Sequence, residues 1–214
     1  MRGVLIGVII FSFGLLVGIP FLISSNNLTS EESASLTNVT DLDWTYGNKE
    51  AKVVLIEYGD FQCEACAKAY TMIEKIKEEY GDNILIVARY FPLPGHQYSK
   101  QSASVVEASG QQGKYWEMSN IMYERQDAWS ASNDTTEIFE SYAREINLDM
   151  EKFAMDIKSQ TTKDRIEKDL DSGKKLGIEA TPSFFINGKK INTPTNIIDF
   201  RKILDKELTT YDIQ

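Results

Sequence analysis

The hydrophobic and polar positions along this chain change their period several times, and each period predicts an element. A β-branched and aromatic run, KVVLIEY at Lys52–Tyr58, has the length and composition of a strand. Apolar residues then recur at three- and four-residue steps from Cys66 to Tyr80, which predicts a helix with Gly81 at its C-terminal end. The nearly continuous apolar run NILIVARYF, Asn83–Phe91, is typical of a strand buried on both faces. Together they predict a strand–helix–strand unit with a right-handed crossover.

The middle of the chain is helical. From about residue 97 to residue 177 the apolar positions keep helical spacing and no strand pattern interrupts them, which predicts an all-helical insertion. Its core is expected to include the aromatic residues Tyr115, Trp116, Tyr123 and Trp129.

Strand character returns near the C-terminus. Asn187-Gly188 separates the strand-like runs Ser183–Ile186 and Lys189–Ile191 and predicts a β-hairpin. Thr193 and Pro194 then predict the N-cap and first residue of a last helix. Its buried stripe would comprise Ile197, Ile198, Phe200, Ile203, Leu204 and Leu208.

The first residues differ in kind from everything that follows. Val4–Ile23 carries no charge, and as a helix it would span about 30 Å, the thickness of a bilayer's hydrocarbon core. A cleaved signal peptide is the alternative, but its apolar region is usually only about 7–15 residues long. Arg2 precedes the run and no Lys or Arg occurs in residues 24–48, so the positive-inside rule places the N-terminus in the cytoplasm. We therefore expect a single-pass cell-membrane anchor over residues 1–23 and an extracytoplasmic catalytic domain, with a cleaved, secreted form as the alternative.

Composition and charge limit the domain organisation and the partners that we expect for residues 24–214. Residues 24–43 are rich in Ser, Thr and Asn and poor in apolar periodicity, which predicts a flexible tether before a folded domain over residues 44–214. The chain of 214 residues is 42% hydrophobic, enough for one domain with a core rather than for two. Its formal net charge is −9 and no basic stripe occurs, so we expect no nucleic-acid partner.

Both cysteines of the chain, Cys63 and Cys66, lie in the stretch YGDFQCEACAKAY at the start of the predicted helix. A zinc site needs about four ligands, which two cysteines and the lone histidine, His96, cannot supply without carboxylates; we expect no metal. A purely structural disulfide is disfavoured, because so short a loop removes little entropy from the unfolded chain. At a helix N-terminus, by contrast, the dipole and unpaired N–H groups favour a thiolate at Cys63, and the spacing lets Cys66 bridge to it. The pattern indicates a redox-active disulfide that needs no other cofactor.

Three stretches of the chain resemble the DsbA-like thiol–disulfide oxidoreductases. They are VVLIEYGDFQCEACAKAY, YFPLPGHQYSKQSASVVEASGQQGKYWEM and GIEATPSFFINGKKI, and the resemblance runs from about Trp44 to Leu208. It implies a thioredoxin-like α/β fold of β-α-β, helical insertion and β-hairpin-α, which agrees with the order of the predicted elements. The expected architecture is that fold behind an N-terminal transmembrane helix.

The resemblance also implies roles for particular residues. Cys63 would be the exposed nucleophile and Cys66 its buried partner. Thr181 and Pro182 would be joined by a cis peptide bond beside the pair, where the backbone of Thr181 would bind an extended substrate chain. Glu57 matches the family's buried acidic residue and would relay a proton to or from Cys66. A solvent-facing glutamate on an edge strand is the alternative for Glu57, which its apolar neighbours disfavour.

The two residues between the cysteines depart from the family's most oxidising members. Those members carry a histidine directly before the second cysteine, where this chain has Ala65. Glu64, the other intervening residue, places a negative charge beside Cys63 and opposes its thiolate. Both differences predict a less extreme Cys63 pKa and a less oxidising pair, which leaves the direction of net electron flow open. His96 is expected to cap or pack rather than to catalyse.

These observations lead us to expect a membrane-anchored, extracytoplasmic thiol–disulfide oxidoreductase that forms disulfides in exported proteins through Cys63 and Cys66. Its partners would be the thiols and disulfides of exported proteins or peptides, and a membrane redox partner that re-oxidises or re-reduces the pair. One alternative is a disulfide reductase or isomerase of the same fold, which the reduction potential would distinguish. Another is a non-catalytic peptide-binding chaperone module, whose activity would not depend on thiols.

Overall fold

A five-stranded mixed sheet forms the centre of the protein. The computed structural model describes residues 28–212. The strands are β1 (Trp44–Gly47), β2 (Val53–Gly59), β3 (Ile84–Tyr90), β4 (Ser183–Ile186) and β5 (Lys189–Lys190). They lie in the order β1-β3-β2-β4-β5, with β2 and β3 parallel and the other neighbours antiparallel. The central strand β2 therefore ends in the middle of the sheet, directly before the cysteines.

Helices cover both faces of the sheet and form a separate block between β3 and β4. They are α1 (Ser30–Leu36), α2 (Glu64–Tyr80), α3 (Ser99–Gly110), α4 (Tyr115–Glu124), α5 (Gln126–Ser130), α6 (Thr136–Glu145), α7 (Met150–Asp156), α8 (Gln160–Lys175) and α9 (Ile197–Asp212). Helices α3 to α8 form the predicted helical insertion, with a core of its own around Trp129 and Phe139. Residues of α2 and α9 pack on one face of the sheet, and the C-terminal part of α8 packs on the other.

The predicted β-hairpin is present at the end of the sheet. Asn187 and Gly188 have φ angles of 46° and 81°, the left-handed conformations that a two-residue hairpin turn requires. The N–H of Asn187 donates to the carbonyl of Val54 at 3.0 Å, so the turn is also fixed to the start of β2.

The last helix starts later than predicted. Helix α9 begins at Ile197, because the hydroxyl of Thr193 donates to the Pro182 carbonyl at 3.1 Å instead of capping a helix. The side chain of Asn196 takes the cap and accepts the N–H three residues further on, at 2.9 Å. Within the predicted buried stripe Ile198 is 59% exposed, so the prediction is wrong for this residue.

The described part of the predicted tether is folded against the domain. Thr29 caps α1, since its side chain accepts the N–H of Glu32 while the Glu32 carboxylate accepts the N–H of Thr29. Ser33 Oγ donates to the carbonyl of Gly188 at 2.7 Å, which fixes α1 to the β4–β5 turn. The prediction of a flexible segment up to residue 43 is therefore wrong for residues 28–43.

Two buried arginines hold the chain between α1 and β1. Arg89, on β3, donates to the carbonyls of Leu36 and Asn38 at 2.7 and 2.8 Å and to the Asp43 carboxylate at 2.9 Å. Arg165, on α8, lies 3.4 Å from the same carboxylate. Burying a guanidinium group without hydrogen-bond acceptors costs free energy, so the two arginines bind the chain between α1 and β1 to the rest of the domain. The segment whose polar composition predicts a flexible tether instead supplies the acceptors for these two arginines.

The predicted membrane span, Val4–Ile23, lies outside the described residues. Across residues 28–212, no helix combines the length and the apolar character that crossing a bilayer requires. Helix α2, for example, has 17 residues and packs on the sheet. The anchor therefore stays a prediction.

Candidate active site

Cys63 and Cys66 lie at the N-terminal end of α2, one short turn after the central strand β2. Cys63 is the N-cap residue, with extended backbone angles (φ −80°, ψ 119°), and its side chain makes no capping hydrogen bond. Cys63 is 9% exposed, whereas Cys66 is completely buried. Both thiols are free, so the structure shows the reduced pair. This is the arrangement expected of an attacking thiol and its buried partner.

The two thiols have opposite acidities. The hydrogen bond from the Cys66 thiol contributes most to lowering the pKa of Cys63 to about 5, and it acts against burial. The Thr181 side chain and the N–H groups of Ala65 and Cys66 lower that pKa further. Burial raises the pKa of Cys66 well above its usual value, and the hydrogen bond to Cys63 raises it more. Near neutral pH a substrate therefore meets a thiolate at Cys63 and a thiol at Cys66.

Thr181 and Pro182 lie beside the thiol pair, directly before β4. The peptide bond between them is cis, as the resemblance implied. Since Ser183 pairs with Tyr58, the register brings the start of β4 to the end of β2. The Cys63 thiol donates to the Thr181 carbonyl at 3.3 Å. The Thr181 hydroxyl has no hydrogen-bond partner among the described residues, which leaves it available to a thiolate at Cys63.

Glu57 lies on β2, on the face that α2 covers, because it alternates with Val53 and Leu55 of that core. Its Oε1 atom is buried and has no hydrogen-bond partner within the described part of the chain. Burial raises the pKa of Glu57 to about 7, while the positive charge of Lys77 opposes that rise. The Glu57 charge in turn raises the pKa of Cys66, so the carboxyl group and the thiol interact. The alternative of an edge-strand glutamate is excluded, since β2 is central.

The two residues between the cysteines are exposed. Ala65 acts through its backbone N–H, one of the groups that lower the Cys63 pKa. Glu64 lies in the first turn of α2, where the helix dipole favours a negative charge. The Cys63 pKa of about 5 lies between the values of about 7 for thioredoxin and about 3.5 for DsbA. The Glu64 charge is not among the main causes of the Cys63 pKa, so a less oxidising pair stays a prediction.

A buried carboxylate and the chain's one histidine lie behind the thiol pair. Asp60, in the turn between β2 and α2, accepts hydrogen bonds from the N–H groups of Gln62 and Leu93, each at 2.9 Å. Its Oδ2 atom lies 2.7 Å from Nδ1 of His96. The N–H of Asp60 donates to Cys66 Sγ at 3.5 Å. Sequence reasoning missed this pair, because His96 is far along the chain and no spacing links it to Asp60.

The helical insertion also contributes to the active-site turn. Gln126, at the start of α5, donates through Nε2 to the carbonyls of Phe61 and Cys63 at 2.7 and 3.0 Å. Tyr123, on α4, packs on Phe61 with ring centroids 4.8 Å apart. Tyr123 belongs to the predicted aromatic core, and nothing in the sequence distinguishes Gln126 from an ordinary polar residue.

The groups assembled here define the chemistry that the site offers. Within residues 28–212, no group of three or more His, Cys, Asp and Glu side chains is placed to hold a metal ion. The site instead combines the acidic, slightly exposed thiol of Cys63 with the fully buried thiol of Cys66 and a carboxyl group that interacts with the buried thiol. Such a set can exchange a disulfide with another protein, because it supplies the attacking thiolate, the second thiol and a proton donor.

Comparisons with known proteins agree with this geometry. A family model described as Thioredoxin matches residues 39–206. The crystal structure of alpha-DsbA1 from Wolbachia pipientis is similar over 85% of this chain and 98% of its own, with a TM-score of 0.76 and 26% sequence identity. Oxidised BdbD from Bacillus subtilis is similar over 78% of this chain and 94% of its own, with a TM-score of 0.70. At 21% identity, BdbD shows a likeness of fold alone.

Curated relatives carry a similar segment within much longer chains. The Na+/H+ antiporter NhaA 1 of Mycolicibacterium vanbaalenii is 32% identical over 168 residues, which are 77% of this chain but 26% of the relative. For the antiporter NhaA of Herminiimonas arsenicoxydans the identity is 32% over 151 residues, 71% of this chain and 23% of the relative. The chain thus spans about a quarter of the length of these relatives. By its family match over residues 39–206 the chain belongs to the thioredoxin family, and its fold is similar to that of DsbA proteins.

Proposed function

We propose that this protein is a thiol–disulfide oxidoreductase that is anchored in a membrane and forms disulfides in exported proteins outside the cytoplasm. The observation that carries the proposal is the contrast between the two thiols. Cys63 is 9% exposed with a pKa of about 5, and Cys66 is completely buried with its pKa raised well above the usual value. A stabilised Cys63 thiolate favours the reduced protein, which makes the oxidised protein a good disulfide donor.

Oxidation of a substrate proceeds in two exchanges. A substrate thiolate attacks the Cys63 sulfur of the enzyme disulfide, forming a mixed disulfide, and Cys66 leaves as a thiolate that takes up a proton. A second substrate thiolate then attacks the substrate sulfur of the mixed disulfide, and Cys63 leaves as a thiolate. The substrate gains a disulfide, and its two electrons stay on reduced Cys63 and Cys66. A membrane redox partner then removes these electrons and restores the enzyme disulfide.

The substrate chain would bind beside Thr181 and Pro182. The contact between the Cys63 thiol and the Thr181 carbonyl supports this position, because an extended chain paired with Thr181 would carry its own cysteine to the Cys63 sulfur. The exposed residues Glu179 and Ala180 precede Thr181, so the approach is open to solvent.

The oxidation of reduced ribonuclease by the purified protein tests this activity. We expect the wild-type protein to restore ribonuclease activity in the presence of an oxidant that re-forms its disulfide. Cys63→Ser should abolish this restoration, since it removes the sulfur that the substrate attacks. Equal rates for the wild-type protein and Cys63→Ser would contradict the proposal.

The membrane setting is supported by the uncharged run Val4–Ile23 and by the relatives that are Na+/H+ antiporters. In cells that express the full chain, we expect the protein in the membrane fraction. After a membrane-impermeant reductant has opened the Cys63–Cys66 disulfide, a membrane-impermeant maleimide should label Cys63 in intact cells stripped of any outer barrier. Labelling that requires lysis of the membrane would place the thiols on the cytoplasmic side and contradict this part of the proposal.

A disulfide reductase or isomerase is the second candidate, which Glu64 and Ala65 favour because they provide no positive charge beside Cys63. The reduction potential of the pair decides between the two directions. A potential near DsbA's, about −120 mV, supports oxidation of substrates, and one near thioredoxin's, about −270 mV, supports reduction.

A further inference from the structure

Cys66 carries a negative charge at one point of every exchange, although its side chain is completely buried. When a substrate thiolate attacks Cys63, the bond between Cys63 and Cys66 breaks, and its electron pair goes to the Cys66 sulfur. Burial disfavours this charge and raises the Cys66 pKa. The N–H of Asp60 donates to the Cys66 sulfur at 3.5 Å, and this contact lowers the Cys66 pKa against the effect of burial. The position of the Asp60 backbone therefore bears on the step that releases Cys66.

The carboxylate of Asp60, which is completely buried, holds that residue in place. Its Oδ1 atom accepts the N–H of Gln62 and its Oδ2 atom accepts the N–H of Leu93, each at 2.9 Å. Oδ2 also lies 2.7 Å from Nδ1 of His96. Because a carboxylate only accepts hydrogen bonds, this contact selects the form of the ring that carries a proton on Nδ1. Among the described residues, two of the three partners are backbone groups, and His96 is the side chain.

The loop that carries His96 is itself attached to the cysteine turn. The N–H of Tyr98 donates to Oε1 of Gln62 at 2.5 Å, and the N–H of His96 donates to the carbonyl of Leu93 at 3.1 Å. These bonds fix the backbone on both sides of the His96 ring. The His96 side chain is 30% exposed, so a substitution there removes a partner of Asp60 without removing a core residue.

We propose that His96 is a positioning residue for Cys66: it holds the Asp60 carboxylate and thereby keeps the Asp60 N–H on the Cys66 sulfur. The inference rests on the proposed function, since it concerns disulfide exchange at this pair. When a substrate is oxidised, the Asp60 N–H stabilises the Cys66 thiolate as it leaves, before that thiolate takes up a proton. In the reverse direction it stabilises the thiolate that attacks the Cys63 sulfur of a mixed disulfide. A contact that serves folding alone would leave both steps unchanged in the folded protein.

The reaction of the reduced protein with Ellman's reagent separates the two thiols in one trace. In the first phase the Cys63 thiolate attacks the reagent, and one thionitrobenzoate is released as a mixed disulfide forms. In the second phase Cys66 loses its proton to the buffer and attacks the Cys63 sulfur, so a second thionitrobenzoate leaves and the enzyme disulfide forms. The proposal concerns the second phase, and the first phase serves as an internal control.

His96→Ala removes the donor to Asp60, and His96→Leu removes it while keeping much of the bulk of the ring. We expect both variants to slow the second phase by about fivefold, because a hydrogen bond to a charged sulfur is stronger than one to a neutral group. The first phase should stay within about twofold of the wild-type rate, since the main causes of the low Cys63 pKa do not include Asp60. If His96→Ala does not fold, His96→Leu decides the matter.

His96→Asn is the conservative variant, because its side-chain amide nitrogen lies as many bonds from the backbone as Nδ1 and can donate to Asp60. We expect its second phase to stay within about twofold of the wild-type rate. Hydrogen exchange of the Asp60 amide should be faster in His96→Ala and His96→Leu and return to the wild-type rate in His96→Asn. Gln97→Ala, at an exposed neighbour in the same loop, is the matched control and should change neither phase.

Second phases within about twofold of the wild type in both His96→Ala and His96→Leu would overturn the proposal. Equal slowing of the two phases, or a second phase that His96→Asn does not restore, would overturn it as well. Failure of the proposed function looks different. In that case the wild-type protein leaves reduced ribonuclease unoxidised, while the second phase still slows in His96→Ala and His96→Leu and recovers in His96→Asn.

Discussion

The Oδ2 atom of Asp60 lies 2.7 Å from Nδ1 of His96, and this contact joins the turn that carries the cysteines to the loop after β3. Asp60 is 2% exposed, so its carboxylate depends on partners within the protein. The same residue donates its backbone N–H to Cys66, a contact that lowers the Cys66 pKa against the effect of burial. His96 therefore bears on the thiol pair through the position of Asp60.

His96→Ala should destabilise the protein because it leaves the buried Asp60 carboxylate with one partner fewer. We expect the free energy of unfolding, measured with urea, to fall by about 1–3 kcal/mol. Gln97→Ala, at an exposed neighbour in the same loop, should change it by less than about 0.5 kcal/mol. An equal effect of the two substitutions would show that the contact with Asp60 contributes nothing.

The acidity of Cys63 should depend on a hydrogen-bond donor at position 66. The hydrogen bond from the Cys66 thiol is the largest contribution to the lowered Cys63 pKa. Cys66→Ala should raise the midpoint of Cys63 alkylation by about one pH unit or more, and Cys66→Ser, which keeps a donor, should raise it less. The midpoint can be measured from alkylation rates or from thiolate absorbance. Equal shifts in the two variants would assign the acidity to the helix terminus rather than to this bond.

The reduced protein should gain stability relative to Cys63→Ser as pH rises. The fold lowers the Cys63 pKa from 9.0 to about 5. A group with a depressed pKa contributes its full stability above its unfolded pKa and loses it as pH falls through the folded pKa. The difference in unfolding free energy between the reduced wild-type protein and Cys63→Ser should therefore be largest above pH 9. It should decline towards pH 5 and vanish below pH 5. Allowing for screening by nearby solvent, we expect about 2–3 kcal/mol in total. A difference that does not change with pH would contradict the low pKa.

Glu57→Gln should produce the opposite dependence on pH. The fold raises the Glu57 pKa from 4.5 to about 7. Between these values the unfolded chain has already lost the proton that the folded protein keeps, so wild-type stability falls as pH rises. Glutamine cannot ionise, and the variant should gain about 2 kcal/mol relative to the wild type over this window. Urea unfolding of both proteins below pH 4.5 and above pH 7 measures this gain. A difference in unfolding free energy that is the same at both pH values would contradict the raised Glu57 pKa.

Arg89→Met should release the segment between α1 and β1. Its guanidinium binds two backbone carbonyls and the Asp43 carboxylate, so its loss leaves buried acceptors without a donor. We expect a loss of about 3–5 kcal/mol in unfolding free energy and faster hydrogen exchange of the amides of residues 36–43. Lys168→Met is the control, since exposed Lys168 contacts Thr40 of this segment at 3.4 Å. Unchanged exchange in Arg89→Met would show that the segment is held by other contacts.

The elements that the sequence predicts well are those with a local signal. The apolar runs of β2 and β3 have the length and composition of buried strands, and Asn187-Gly188 specifies its turn through backbone conformation. Cys63 and Cys66 are recognised because their spacing and their place after a strand determine their chemistry. The resemblance to a family added Thr181 and Pro182, which lie far from the cysteines in sequence.

The features that the sequence does not predict depend on contacts between distant residues. Strand β1 is only four residues long, and it exists because β3 offers it a free edge. Residues 28–43 have the composition of a linker, yet they supply the acceptors that Arg89 needs. The partnership of Asp60 with His96 follows from the path of the loop after β3, which no local pattern specifies.

The docking of α1 on the β4–β5 turn sets the orientation of an anchored enzyme. The turn is bonded to the start of β2, whereas the cysteines follow the other end of this seven-residue strand. At about 3.3 Å per residue, the two sites lie at opposite ends of the sheet, roughly 20 Å apart. With the proposed anchor, the link over residues 24–29 spans at most about 20 Å. Because so short a link would join the bilayer to one end of the domain, the Cys63 sulfur at the other end would face away from the bilayer. It would then face polypeptides that have already left the membrane.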